Sequence, residues 1–450
     1  MTNASLLQRV AAGLTRWSTR FVPDAFVIAL LLSALVAGMA LVLTPTSPSS
    51  LVMAWGNGLW QLLEFASQMC LVVMGGYVLA VAPPVRRALD WVASRPKTPR
   101  GAIALTAAVS MGLAMFNWGL SIVASAFFVI AVARQKIRVD HRLLCATGYL
   151  GLGCLWHAGL SASAPLLIAT KGKYSEYFGV IPVTDTIFHP LNIGLVVVTF
   201  VVLTLLAAAM HPPEGAEVTA PPSALVNPEP LVDEQPEDTP AARLEHSRIP
   251  TLILAAISLG YVGARLVNGG LSALNINTVN LLMLSVGMAL HPSVRAFLAA
   301  ARGSADALWP IILQFPFYAG ILGMIDGSGL DDILANGFTR ISTPETFPLV
   351  VTWYSGILNY VVPSGGSKLA IEASYIAAAS KQLGVPLNLT VIAYAWGDML
   401  TDVIQPFWAL PLLGAAKLGF RDIMGYCVVF FLVYGVIVTA GFGLLALGVF

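Results

Sequence analysis

Five ionisable side chains lie inside long apolar stretches of this sequence: His157, Lys368, Glu372, Asp398 and Asp402. A charge at membrane depth costs roughly 2.5–3.5 kcal/mol on insertion scales, so each must face a cavity or another charge. Lys368 and Glu372 are four residues apart, as are Asp398 and Asp402, so in helices each pair would share one face. Two chemistries follow. Lys368 can neutralise acids in a structural ion-pair network, and a carboxylate left over can titrate or hold a cation that drives transport. His157 reads as a packed or hydrogen-bonded histidine rather than a ligand.

The elements that must position these groups are interrupted helices. In the run Asn359-Tyr-Val-Val-Pro-Ser-Gly-Gly-Ser-Lys368, Pro363 removes a backbone donor and Gly365 and Gly366 permit positive φ. A helix arriving from Thr346 must stop there, and a second must restart near Lys368. A bilayer tolerates such unwound backbone only where it is buried in protein or lines a wet cavity, which makes the hairpin tip a candidate ligand site. Lys368, Ser364, Ser367 and the N–H groups opening the second helix would form a small anion site that suits one carboxylate. A matching tip in the first half offers Asn117, Trp118, Gly119 and Ser121, hydrogen-bonding groups without charge.

Two further breaks fall at Ala158–Pro165, with Ser161 and Ser163, and at Gln405–Pro411, where Pro406 and Pro411 interrupt the helix. Their unwound carbonyls are candidate Na+ ligands, although the two serines also suit ordinary helix packing. The expected cation-coupling set is Ser161, Ser163, Glu372, Asp398, Asp402 and Gln405, with Na+ near Asp398 and Asp402 and no other cofactor.

Composition sets the class. The 450 residues are 57% hydrophobic and 10% charged, with mean hydropathy +0.80, so most of the chain must contact lipid or other apolar helices. This reads as an all-α polytopic membrane protein. No basic cluster is interleaved with aromatics, which excludes a nucleic-acid surface. Cys70, Cys145, Cys154 and Cys427 sit in apolar segments and read as reduced. Ala25–Leu43 has spanning length without a cleavage site behind it, and reads as a first span.

Loop charges predict the topology, since cytoplasmic loops carry the Lys/Arg excess. Arg9, Arg16 and Arg20 put the N-terminus inside, and basic residues flank 101–133 on both sides, at Arg100 and Arg134. That segment must therefore enter and leave on the cytoplasmic side. Nine crossings plus two hairpins fit best. Residues 211–249 contain eight prolines and eight acids, too polar to bury a core, and read as a disordered cytoplasmic linker. Across it a repeat is visible at spacings of 242–246: Thr98-Pro99 with Thr343-Pro344, Asn117 with Asn359, Ser163–Leu167 with Ala409–Leu413, Lys171 with Lys417. Residues 1–210 would form a first inverted repeat with its hairpin at about 101–133, and 250–450 an extra span plus a second repeat with its hairpin at about 346–380. Inverted repeats with broken helices near the midplane are secondary-transporter architecture.

The motifs Gln314–Ile321 (QFPFYAGI), Val362–Gly366 (VPSGG), Gln405–Pro411 (QPFWALP), Arg421–Cys427 (RDIMGYC) and Leu274–Asn280 (LNINTVN), with Asn117-Trp-Gly119, together resemble the bacterial short-chain fatty acid transporter family of the acetoacetate/butyrate type. That family looks like a branch of the ion-transporter superfamily, whose better-understood members are similar to sodium–dicarboxylate symporters. The resemblance implies a scaffold and a moving transport domain with elevator-type motion, a homodimer, a bacterial inner-membrane location, and substrate and Na+ contacts at Asn117, Ser163, Asn359, Ser364 and the Gly365-Gly366 tip. The reading is a secondary active transporter of short-chain monocarboxylates, coupled to Na+ or H+. Its rivals are a passive carboxylate channel and an intramembrane aspartyl hydrolase using Asp398 and Asp402.

Overall fold

A computed structural model of the chain describes residues 25–135, 137–213, 215, 217–226 and 239–448. Arg9, Arg16 and Arg20, which carry the N-terminus-inside expectation, lie outside the described residues. The described chain is helical throughout its regular elements. It opens with α1 (Ala25–Leu43), α2 (Pro48–Gly58), α3 (Leu63–Val81) and α4 (Pro83–Ala93). The first hairpin follows, α5 (Pro99–Phe116) and α6 (Trp118–Ala133), then a segment in pieces: α7 (His141–Gly148), α8 (Leu150–Cys154), a 3-10 turn Trp156–Ala158 and α9 (Ser163–Ile168), and the long α10 (Pro190–Ala209). The middle of the chain holds α11 (Ile249–Gly269), α12 (Ile276–Leu290), α13 (Val294–Gly303), α14 (Ala305–Ser328) and α15 (Leu330–Ile341). The second hairpin is α16 (Phe347–Val361) and α17 (Gly365–Leu383). After it come α18 (Leu387–Met399), 3-10 turns at Asp402–Ile404 and Phe407–Ala409, α19 (Leu410–Ala416) and the long α20 (Phe420–Ala446).

Hairpin, broken segment and long helix thus occur twice in the same order. The correspondence is looser in detail. Asn117 is itself the hinge of the first hairpin, in extended conformation between two helices. Asn359 lies inside the last turn of α16, and the second hinge is Val362–Ser364.

Among the described residues seven helices are long and apolar enough to cross a membrane, or eight if the bent pair 387–416 is one span. The nine crossings expected from hydropathy include 143–170, which folds instead as helices of five to eight residues joined by a turn and an unwound stretch. Its backbone survives the breaks because the first hairpin supplies partners. The Ser110 hydroxyl donates to the Gly148 carbonyl (2.6 Å) and accepts from the Gly151 N–H (3.0 Å), and the Leu160 N–H donates to the Met115 carbonyl (2.7 Å).

The linker reading needs correction at its described positions. One oxygen of Asp140 caps α7 through the Leu143 N–H (2.8 Å), and the other accepts the Thr219 N–H (2.9 Å). The His141 N–H returns a bond to the Thr219 carbonyl (2.9 Å), and Arg134 Nε donates to the Leu225 carbonyl (2.9 Å). The stretch around 219–225 therefore docks on the base of the first hairpin, and Pro240–Glu245 forms a turn of helix. Composition missed this because the anchor belongs to Asp140, outside the acidic, proline-rich run. The remainder of the proposed tether, at 214, 216 and 227–238, lies outside the described residues.

Candidate functional site

At the first hairpin, Asn117 is 2% exposed and both its polar atoms are engaged. Oδ1 accepts from the Leu120 N–H (2.8 Å), capping α6, and Nδ2 donates to the Val72 carbonyl of α3 (3.0 Å). The Ser121 hydroxyl turns back to the Ser110 carbonyl of α5 (2.8 Å). Gly119 faces α3, where a Cβ would sit 3.4 Å from the Val73 carbonyl oxygen. Asn117, Gly119 and Ser121, expected as substrate groups, are here the rivets that close this tip. Trp118 alone of the set lines a cavity, edge-on to Trp408 (5.2 Å between centroids) and Trp156 (6.4 Å).

The second tip is built differently. Its helix restarts at Gly365, three residues before the expected Lys368, and neither Gly365 nor Gly366 uses positive φ. The glycines are needed for space. A Cβ on Gly365 would meet Asp398 Oδ2 and sit 2.6 Å from His157 Cε1, and one on Gly366 would sit 2.5 Å from Phe65 Cζ. The Ser364 side chain makes no capping hydrogen bond to α17, and no other described side chain takes its place. The first N–H groups of a helix have no intrahelical partner, so those opening α17 remain available at the tip. Ser364 and Ser367 bond each other through their hydroxyls (3.1 Å).

Lys368 does not reach outward to this tip. It is fully buried behind it, with Nζ 2.9 Å from Asp398 Oδ1, donating to the Ser355 carbonyl (2.8 Å) and hydroxyl (2.6 Å), and 4.9 Å from the Tyr394 ring centroid. The assignment of Lys368 as a substrate contact is therefore corrected: its donors are spent on protein groups. Its i, i+4 neighbour Glu372, also fully buried, is the more distant acid at 4.0 Å. Asp398 Oδ2 is bound by His157 Nδ1 (2.7 Å), while His157 Nε2 accepts the Ala164 N–H (3.0 Å) and lies 3.1 Å from Ser163 Oγ. An Nε2 that accepts a backbone N–H carries no proton itself, so the hydrogen sits on Nδ1 and is donated to Asp398.

Asp398 and Asp402 do not share a helix face, contrary to expectation. α18 ends at Met399, and Asp402 starts the 3-10 turn beyond. Asp402 Oδ2 accepts from Trp156 Nε1 (2.8 Å) and Oδ1 from Asn359 Nδ2 (2.7 Å). No oxygen of Asp402 lies within ion-pair distance of a described cation. The hydrolase dyad fails on the same geometry, because the two acids point to separate partners. At the Gln405–Pro411 break, the Asp402 and Gln405 carbonyls face the Tyr149 hydroxyl (2.9 and 3.1 Å), and Gln405 Oε1 accepts from the Phe407 N–H (2.7 Å). These are some of the oxygens the sequence offered to Na+: Gln405 Oε1 has its own donor, while the single Tyr149 hydrogen is shared between two carbonyls. Ser161 is buried in the other break, and its hydroxyl has no hydrogen-bond partner among the described residues.

These elements surround a small, partly open cavity. Pro363, Ser364, Gly365 and Gly366 form one wall and Asp402 another; Trp118, Trp156, Trp408, Met69, Ile311 and Phe315 supply the rest. The cavity thus joins an uncapped helix start, one acid without a cation and an apolar, aromatic cage. Sequence reasoning singled out the tip and Asp402 but not Trp156, Trp408 or Phe315 as lining residues. Trp156 adjoins His157 in sequence and stacks on it (4.3 Å, 17°), and Trp408 donates to the Pro363 carbonyl from within the QPFWALP break. Tryptophans flanking a helix break were the available signal.

A family profile described as "Short chain fatty acid transporter" matches residues 6–445. Two relatives carry the name "Putative short-chain fatty acid transporter". One, from Escherichia coli (strain K12), is 38% identical over 438 residues, 97% of this chain and 99% of its own. The other, from Haemophilus influenzae (strain ATCC 51907 / DSM 11121 / KW20 / Rd), is 34% identical over 94% of this chain and 96% of its own. Among solved structures the fold is similar to the Alcanivorax borkumensis YdaH transporter (TM-score 0.53, 15% identity, covering 95% of this chain and 98% of that one). It is also similar to Neisseria gonorrhoeae MtrF, of a class of antimetabolite efflux pumps (TM-score 0.60, 13% identity, covering 98% and 96%).

Proposed function

Because the chain belongs to the short-chain fatty acid transporter family, whose members are membrane transporters rather than enzymes, we propose that it is a secondary active symporter holding a short-chain monocarboxylate at the second hairpin tip. The observation that carries this reading is the uncapped start of α17 opening into an aromatic-lined cavity beside Asp402. The N–H groups of that helix start suit a carboxylate, and the Trp, Phe and Met side chains suit a short acyl tail. A dicarboxylate would bring a second charge into a cage that offers it no cation.

Cation coupling follows from charge. Asp398 is compensated by Lys368, whereas Asp402 has two neutral donors and, among the described residues, no positive partner. A substrate carboxylate entering beside an ionised Asp402 is repelled, more strongly at low dielectric, unless a cation accompanies it. The coupling site is therefore Asp402. A proton suits it better than Na+, since the lone pair left on each oxygen beside its N–H donor can take a proton, whereas Na+ would need several more oxygen ligands. The doubled order of hairpin, broken segment and long helix supports inverted repeats, and with them an elevator-type motion of the two hairpins in a homodimer of the inner membrane, N-terminus inside. Cysteines replacing Arg100 and Arg134 should then label from the cytoplasmic side only.

The direct test of substrate is counterflow in proteoliposomes loaded with butyrate. Acetate, butyrate and acetoacetate should exchange and succinate should not. Exchange of succinate at the butyrate rate would sink the reading, and flux that never exceeds equilibration under an imposed gradient would favour the passive channel.

A further inference from the structure

A second small cavity opens at the protein surface on the far side of Phe65 from the central one. Its rim includes exposed Gln61, Glu64 and Lys171, and its floor includes Thr170, Tyr174 and Phe65 itself. Lys173, also on the rim, is held by Glu176 (2.6 Å), and Glu64 accepts from Gln68 (3.4 Å). Lys171 has no ion pair among the described residues. Phe65 is 4% exposed and packs edge-on against Tyr174 of this cavity (6.1 Å) and Phe315 of the central one (5.0 Å). It also presses on the hairpin tip: a Cβ on Gly366 would lie 2.5 Å from its Cζ and 3.3 Å from Phe315 Cε1. Met69, one turn further along α3, lines the central cavity. One ring therefore separates a surface cavity bearing an uncommitted cation from the space beside the uncapped start of α17.

We propose that this surface cavity is an access vestibule that docks a carboxylate on Lys171, and that Phe65 is the partition between it and the central site. The inference rests on the reading of the central cavity as a carboxylate site, and it adds a route and a selectivity element. Lys171 would attract an anion against the opposing charge of Glu64 on the same rim, and salt weakens such steering. Removing the Phe65 ring would join the two cavities and enlarge the space next to the tip, so longer acyl chains would be accommodated.

The test uses thiol labelling, which needs no transport. Ser364→Cys in a Cys70→Ser background is treated with a sulfonate-bearing methanethiosulfonate and with a neutral one of similar size. Phe65→Ala should speed both several-fold, with Phe65→Leu as the variant if Ala fails to fold. Lys171→Gln should slow the anionic reagent alone by a few-fold at low ionic strength, and the deficit should shrink at high salt. Rates unchanged by removal of the ring would overturn the partition, and an anionic rate unchanged in Lys171→Gln would overturn the docking role. If labelling behaves as expected while the parent exchanges no carboxylate, the vestibule stands and the proposed substrate falls.

Discussion

The two hairpin tips start from similar sequence material and end in opposite states. At the first, Asn117 caps α6 with one end of its amide and binds α3 with the other, and Ser121 closes onto α5. At the second, no described side chain caps α17, and the polar groups next to it organise a buried cluster of Lys368, Asp398 and His157 beneath the helix start. A tip that spends its polar groups on itself is an anchor. One that leaves its helix start open, over a charge-compensated floor, can receive a ligand.

The sharpest way to break this comparison is to remove the floor of the second tip. Lys368→Met leaves Asp398 buried with His157 as its remaining partner, which should cost about 3–5 kcal/mol. The double variant Lys368→Met with Asp398→Asn should recover much of that loss, as thermal midpoints in detergent would register. A single variant as stable as the parent would mean that the cluster is not the support described here.

Next in size is a glycine comparison. Gly365→Ala and Gly366→Ala should nearly abolish exchange, because their methyls would meet Asp398, His157 and Phe65. Gly119→Ala, whose nearest contacts are 3.2 and 3.4 Å, should leave measurable transport. Equal losses at the two tips would remove the distinction between them. The smallest effect is expected for Asn117→Ala, a loss of about 1–2 kcal/mol in stability from the missing cap, with the KM for butyrate unchanged. A strongly raised KM in that variant would return Asn117 to the substrate set.

What the sequence makes legible here is interruption. Pro, Gly and Asn inside apolar runs announce both hairpins and both broken segments, because few other contexts require them there. Which groups meet across elements is not legible in the same way. Spacing suggests Lys368 with Glu372 on one helix, yet the shorter contact is to Asp398 on the next (2.9 against 4.0 Å). Spacing also suggests a paired Asp398 and Asp402, but α18 ends between them, and a single lost turn sends the two carboxylates to different neighbours. His157 is isolated in a glycine-rich stretch, and its role depends on an acid 241 positions away.

The account turns on Asp402 as the uncompensated acid, and the measurement that tests it most directly is uphill uptake by Asp402→Asn. Asparagine keeps the shape and can still face Trp156 and Asn359, but it cannot take up a coupling proton. In proteoliposomes with an imposed pH gradient and no Na+, the parent should accumulate butyrate above equilibrium. Asp402→Asn should exchange butyrate for butyrate yet fail to accumulate it. Accumulation by Asp402→Asn equal to the parent's would contradict the assignment of coupling to this residue.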